Sequence, residues 1–474
     1  MTSLDMAIIC AYLVGLFVFA ISIGIRETSE DFLILSRRAP FVLVLFSIVS
    51  SWVGVGTTVA TAASGYDTGL SLGVTAAAGG LVGVAVAAIM APRLKMFGDR
   101  FGAHTLGDFF AVRYSRANQA LVGGLILIIY SLLTAAQFVG LAAIGEIWTG
   151  VGLRAALIFA AVSTILYTAF AGIKSDFYTD IIHFWVMVLV MFGVLLPVVL
   201  RASGPSALRS LPASYFDVFA YGGVQFFVAG IIFGAGVVFV TMEIWQRIYA
   251  SASGGGARWA LVGSGGIIIC FYLLSAFLGM LTKIAEPHLA DRNQALFVLM
   301  KKFLPPGILG LSLAAFMAAF ISSVNTMIMV SSATLTKDFY KRRFRTNATE
   351  REVLTAGRVS TLIAGFVAYG LAMAVPDIVT LSINALFMLL VLLPAVVGGF
   401  FWKRATAKAS LLSIACGFCA MILCLPIAPK TAFVAGLVVS ILVFVGGSLF
   451  SAHDAGENLN IWPVPEGLSA PKGT

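Results

Sequence analysis

Ser50-Ser51-Trp52-Val53-Gly54-Val55-Gly56 and Ser322-Ser323-Val324-Asn325-Thr326 interrupt apolar stretches that are otherwise long enough to cross a bilayer. In hydrocarbon, each hydroxyl and each carbonyl freed from a helix must find a partner, and a hard cation such as Na⁺, which prefers oxygen ligands, is one. These two interruptions are where the chain is expected to hold an ion.

The flanking sequence places them in a membrane. The 474 residues are 60% hydrophobic and 11% charged, with a mean hydropathy of +1.01, more apolar sequence than a soluble core uses. Runs of about 18 or more apolar residues, enough to cross roughly 30 Å as helix, predict thirteen spans: 4–25, 40–63, 70–92, 118–145, 153–173, 178–200, 223–249, 258–283, 306–336, 357–375, 377–400, 408–427 and 431–450. The first follows Asp5 instead of a basic region and reads as a helix, not a cleaved signal. The expected fold class is an all-α polytopic membrane protein, one membrane domain over 1–450 with a tail, 451–474, rich in Gly and Pro.

Of the 30 Lys and Arg residues, 22 fall on one side if the spans alternate, among them Arg247 and the cluster 337–358. The positive-inside rule then puts the N-terminus outside and the C-terminus in the cytoplasm, in the cell membrane, a bacterial inner membrane by expectation. The net charge of +9 follows from this topology, and Lys341-Arg342-Arg343-Phe344-Arg345 reads as a membrane-edge anchor, not a nucleic-acid site. The Asn347-Ala348-Thr349 sequon lies on the cytoplasmic side, where no glycan is expected. Cys10, Cys270, Cys416, Cys419 and Cys424 all lie in apolar segments and read as small filler, the Cys416–Cys419 spacing included. No phosphate-binding P-loop, zinc helix or nucleophile elbow occurs, so neither enzyme chemistry nor an organic cofactor is expected.

Without the first helix, the next ten spans form two groups of five, 40–200 and 223–400, running in opposite senses, with two extra helices in 408–450. Each group opens with a glycine-interrupted helix, Gly54-Val55-Gly56 and Gly234-Ala235-Gly236. Paired broken helices point to a midplane binding site between inverted repeats, although membrane helices also use glycine for close packing, as at Gly79 and Gly83.

Around the interruptions, Ala319 and Ser322 share a helical face, with Ser323 beside them. Unwinding near Gly54 frees the carbonyls of Ser50 and Val53, giving about five neutral oxygens, a shell that suits Na⁺. The plainer alternative is that these hydroxyls bond to their own preceding turn or join two helices. Asp180, at a helix start, is the next candidate, as an intramembrane acid; an interfacial acid near Lys174 is its alternative. His183 is read as a satisfied interfacial imidazole, Glu243 and Gln246 as a helix end. Thr57, Gln137 and Asn384 are expected near a substrate cavity.

Residues 50–70 with Gly65-Tyr66-Asp67-Thr68-Gly69-Leu70, Ala171-Gly172-Ile173 followed by Thr179-Asp180, Gln246-Arg247, and the run 314–323 leading to Asp338-Phe339-Tyr340 together resemble the sodium/solute symporter family, over about residues 30–400. The resemblance implies a LeuT-like inverted-repeat fold with alternating access and a sodium site at Ser50, Val53, Ala319, Ser322 and Ser323. It also implies a sodium-release role for Asp180 and, in some members, a second sodium site whose serine positions are Asn325 and Thr326 here. The expected function is sodium-coupled import of a small organic solute. A proton-coupled carrier using Asp180 and His183, and a membrane sensor, are the alternatives. Trp52, Thr57 and the polar-poor run 69–90 weaken a hexose reading, and Gly234 and Val238 a proline one.

Overall fold

The computed structural model describes residues 2–24, 28–203, 207–375, 385–428 and 431–453. Among them eleven helices are long and apolar enough to cross a membrane, and a twelfth is the bent pair α3 (Phe41–Trp52) and α4 (Gly56–Thr68). No strand occurs among the described residues. A parallel bridge pairs Ala39 with Ser251. The expected span 377–400 is seen only as the shorter apolar helix Ala385–Phe401, because its start, with Asn384, lies outside the described residues.

The helices that build the site, beside α1 (Ser3–Gly24), α2 (Ser29–Ile34), α3 and α4, are α5 (Ser71–Phe101), α6 (Leu106–Arg113), α7 (Arg116–Thr149), α8 (Leu153–Phe170), α9 (Gly172–Ala202), α10 (Gly223–Val240), α11 (Met242–Ala250), α12 (Gly254–Ala285), α13 (Ala295–Phe303) and α14 (Ile308–Arg342). Their ends follow local chemistry. Ser115 and Ser253 accept the amides of Asn118 and Gly256 at the starts of α7 and α12, the capping role that short polar side chains perform. Gly172, at φ 45°, turns the chain between α8 and α9, a conformation that strains any residue with a Cβ.

The first expected break is present. Helix α3 stops at Trp52, Val53 leaves helical geometry, and α4 departs at 58°. The second is displaced. Helix α10 runs unbroken through Gly234 and Gly236 and ends at Thr241, whose extended backbone (φ −89°, ψ 112°) separates it from α11. Gly230 and Gly234 instead lie against Gly79 and Gly83 of α5, where a Cβ added at Gly79, Gly83 or Gly234 would meet a backbone carbonyl and one at Gly230 the Thr75 methyl, the close approach that small residues permit between membrane helices. The bridge joins Ala39, just before α3, to the end of α11, through Ala39 N–H donating to Ala250 O at 2.9 Å. The start of α3 thus lies beside the end of α11.

Candidate functional site

Breaking a helix leaves its last carbonyls without intrahelical donors. Around the α3–α4 break, Ser51 O accepts from Ser323 Oγ at 2.8 Å and Trp52 O from Thr57 Oγ1 at 2.7 Å. Gly54 O accepts from Thr58 Oγ1 at 2.8 Å. Among the described residues, the Ser50 and Val53 carbonyls receive no such donor across the break. These are the two carbonyls named for the ion. The amide freed at Val55 donates to Gln137 Oε1 at 2.9 Å. Gly54 is required here, because a Cβ would run into Ser323 Oγ and the Gln137 amide.

Helix α14 supplies the remaining expected ligands. Ser323 Oγ also lies 3.0 Å from Ala319 O, and Ser322 Oγ donates to Asp180 Oδ1 at 2.5 Å. A hydroxyl that donates its one proton keeps lone pairs for a cation, so these bonds leave both oxygens able to ligate Na⁺. Val53 and Ala319 share the wall of a cavity of about 10 Å³, close to the size of one water-sized sphere. The structure thus gathers Ser50, Val53, Ala319, Ser322 and Ser323 at the contact of the broken helix with α14.

Asp180 is fully buried and is not an interfacial acid beside Lys174, which pairs with Asp31 at 3.0 Å. It accepts from Ser47 Oγ at 2.6 Å, and its backbone carbonyl accepts from Ser50 Oγ at 2.7 Å. Arg247, counted in the sequence as a basic residue at a membrane edge, is only 1% exposed. Its Nη2 lies 2.8 Å from Thr326 Oγ1, 3.6 Å from Asp176 Oδ2 and 3.7 Å from Asp180 Oδ2. Glu243 and Gln246 are buried as well, so α11 is an interior element. His183 is buried with Nδ1 3.8 Å from Asp180 Oδ1, and among the described residues neither ring nitrogen has a hydrogen-bond partner, against the expected satisfied imidazole. Asp176 escaped the sequence reading, although its spacing of four from Asp180 puts both acids on one helical face. The cysteines do not fill the core: Cys10, Cys270, Cys416 and Cys419 are exposed on the outside of the bundle.

A larger cavity, about 170 Å³, opens between the broken helix, α5, α10 and α12. Trp52, Gly56, Thr61, Thr75, Ser264 and Tyr272 are the residues with polar groups in its wall, and among the described residues no charged side chain lines it. Thr57 and Gln137, expected near a substrate cavity, bond to the backbone of the break; neither is in the wall of this cavity, but Thr57 meets Tyr272, which is.

An all-helical membrane bundle with a broken helix against a serine-bearing partner defines a LeuT-like secondary transporter. The chain belongs to the sodium:solute symporter family, which matches residues 34–417. It is 28% identical over 408 residues to sodium/proline symporter 2 of Staphylococcus saprophyticus, covering 78% of this chain and 75% of that one. It is 28% identical over 344 residues to the sodium/pantothenate symporter of Escherichia coli, covering 69% and 70%. The fold matches a solved Na⁺-coupled sialic acid symporter with a TM-score of 0.80 at 16% identity, over 95% of this chain and 99% of that one. The chain is an integral membrane protein that couples Na⁺ to the import of a small organic solute, and it is not an enzyme.

Proposed function

We propose that the coupling Na⁺ is held by the carbonyls of Ser50, Val53 and Ala319 and the hydroxyls of Ser322 and Ser323, and that the solute is a small carboxylate with an apolar body. The observation that supports the ion site is the pairing around the break: neighbouring carbonyls are taken by Ser323, Thr57 and Thr58, while those of Ser50 and Val53 have no such donor. The ion pins the broken helix to α14 and thereby favours one conformation of the pair, which is the thermodynamic content of coupling. The cavity supports the solute class. Its walls are largely Gly, Val, Ile, Leu and Phe, too few polar partners for the hydroxyls of a sugar, since buried polar groups must be hydrogen-bonded. Gly56 brings the first amides of α4 to the cavity wall, and a helix start favours an anion. Proline and pantothenate, named for the two relatives, are both carboxylates.

The same reading keeps the two opposed groups of five helices as inverted repeats over 40–200 and 223–400, within one domain ending at 450. It keeps the N-terminus outside, the C-terminus in the cytoplasm, and a bacterial inner membrane as the location. The start of α3 tied to the end of α11 supports the inversion.

A panel of amino acids, aliphatic and aromatic monocarboxylates and hexoses, scored for thermal stabilisation of purified protein with and without Na⁺, tests this, because a ligand that binds only the native state raises apparent stability. Carboxylates are expected to stabilise in a Na⁺-dependent way. Stabilisation by hexoses alone would reject the solute class.

A further inference from the structure

Where α2, the start of α3 and the start of α9 meet, a cavity opens that the ion and solute sites do not use. Thr28, Asp31, Ser36, Arg38, Lys174 and Tyr178 form its polar wall, and its volume is about 390 Å³, within the range of small-molecule sites, roughly 300–1,000 Å³. We propose that it binds the phosphate of an anionic phospholipid whose acyl chains lie along the outer faces of α3 and α9.

The polar wall follows from a strained turn. Leu35, Ser36 and Arg37 all have positive φ, at 50°, 47° and 57°, a left-handed conformation uncommon for residues with a Cβ. The turn sends Ser36 back to Asp31, whose Oδ1 accepts the hydroxyl at 2.5 Å, and sends Arg37 into the bundle, where Nη2 donates to Ala103 O at 2.7 Å. Arg38, the next residue, is left exposed at the cavity, with no hydrogen bond or ion pair among the described residues. From the other wall, Lys174 Nζ donates to Asp31 Oδ2 at 3.0 Å. The single carboxylate therefore faces two cations, Lys174 and Arg38, and among the described residues the cavity keeps a net positive charge. A guanidinium forks across two oxygens of a phosphate, which makes the unpaired Arg38 the main recognition group.

Beside the cavity the surface is apolar and faces outward. Tyr178, Ile182 and Trp185 share one face of α9 and are 36–57% exposed, and Phe41 and Val42 at the start of α3 are 46% and 42% exposed. The Trp185 ring meets Phe46 of α3 edge-on at 5.8 Å, so the two helices form one continuous outer surface. A soluble anion would use the cations alone. A phospholipid uses the cations and the apolar track together, and basic pockets at the ends of membrane helices are where anionic head groups bind. Tyr178, one turn inward from Lys174, stands where a tyrosine suits the head-group level. The orientation proposed above puts this end in the cytoplasmic leaflet; the head-group chemistry is the same in either leaflet.

Thermal stabilisation of the purified full-length chain in detergent, titrated with phosphatidylglycerol, with phosphatidylcholine of the same acyl chains and with inorganic phosphate at matched ionic strength, tests the proposal. Both ends of the bundle are accessible in detergent, so the outcome is independent of orientation, and the titrations are made without Na⁺ or solute. The parent should reach half-maximal stabilisation at a phosphatidylglycerol concentration about fivefold below that of phosphatidylcholine, the factor that one basic side chain contributes at an anionic surface. Arg38→Gln should abolish this preference and leave the phosphatidylcholine titration unchanged. Arg201→Gln, which removes an exposed arginine at the far end of α9, should keep the preference. Equal titrations for the two lipids in the parent, or a preference that survives Arg38→Gln, would overturn the proposal. An equal loss in Arg201→Gln would also overturn it, in favour of diffuse surface charge. Stabilisation by inorganic phosphate that vanishes in Arg38→Gln, with no preference between the lipids, would reassign the cavity to a soluble anion.

Discussion

Ser323 carries the most specific claim. Its hydroxyl reaches Ser51 O and Ala319 O from within the serine helix, so Ser323→Ala removes the proposed ion ligand with little change in volume. The Na⁺ concentration for half-maximal thermal stabilisation should rise at least tenfold, equivalent to about 1.4 kcal/mol, while abundance in the membrane stays near that of the parent. Equal sodium titrations for variant and parent would dismiss Ser323 as a ligand. Asp180→Asn has a different expected outcome. It leaves Arg247 with one fewer buried counter-charge, and breaking a buried pair from one side costs about 3–5 kcal/mol. Its Na⁺-free melting temperature should therefore fall well below that of the parent. An unchanged melting temperature would mean that the Asp180–Arg247 approach contributes no stability.

Among elements, α7 holds both broken helices. Gln137 accepts the freed amide of Val55, and Tyr130, seven residues earlier, accepts the amide of Met242 at 2.9 Å and donates its hydroxyl to the Glu243 carboxylate. Positions i and i+7 lie on one helical face, so a single stripe of α7 spans the two breaks. The sequence suggested Gln137 only as a residue near a substrate cavity and did not single out Tyr130, because neither residue indicates which backbone atom lies opposite it. Gln137→Leu should leave the Val55 amide unpaired, with a stability loss of about 1–3 kcal/mol and weaker Na⁺ stabilisation. Gln137→Glu keeps an acceptor and should retain more of both. The two variants falling together in chemical denaturation would show that α7 does not act through this bond.

At the scale of the molecule, an ionic network ties distant segments at one end of the bundle. Glu30 on α2 meets His104 in the α5–α6 connection at 3.0 Å, Arg37 meets Asp99 at 3.5 Å, and Lys95 meets Asp99 at 2.7 Å. Deeper in this end, Asp338 near the close of α14 accepts from Thr105 and Gln119 at 2.9 and 2.8 Å. The hydrogen bond from His104, then the charges of His104, Lys337 and Arg37, hold the Glu30 carboxyl down at about 2 from an ordinary 4.5. A depressed folded value means that stabilisation is complete above the unfolded value and is lost as pH falls from about 4.5 towards 2. Glu30→Gln should thus melt below the parent at pH 6–8, by less than about 1 kcal/mol because Glu30 is partly exposed and screened. The gap should close as the pH is lowered through that window; a constant gap would show that the charge of Glu30 is not its cause.

The sequence by itself indicated most of the spans and the first break, and pointed to the residues proposed for the ion, because apolar runs, glycines and serines act on the backbone within a few residues of where they stand. It misplaced the second break. Gly234 and Gly236 permit bending but do not require it, and the choice fell to the packing of Gly230 and Gly234 against α5 and to the amide that Tyr130 accepts beyond Thr241. Only the tertiary structure decided the setting of Arg247. Its partners Ser47 and Thr326 lie 200 and 79 residues away, and an arginine is a surface cation or a buried one according to which acids the fold brings beside it.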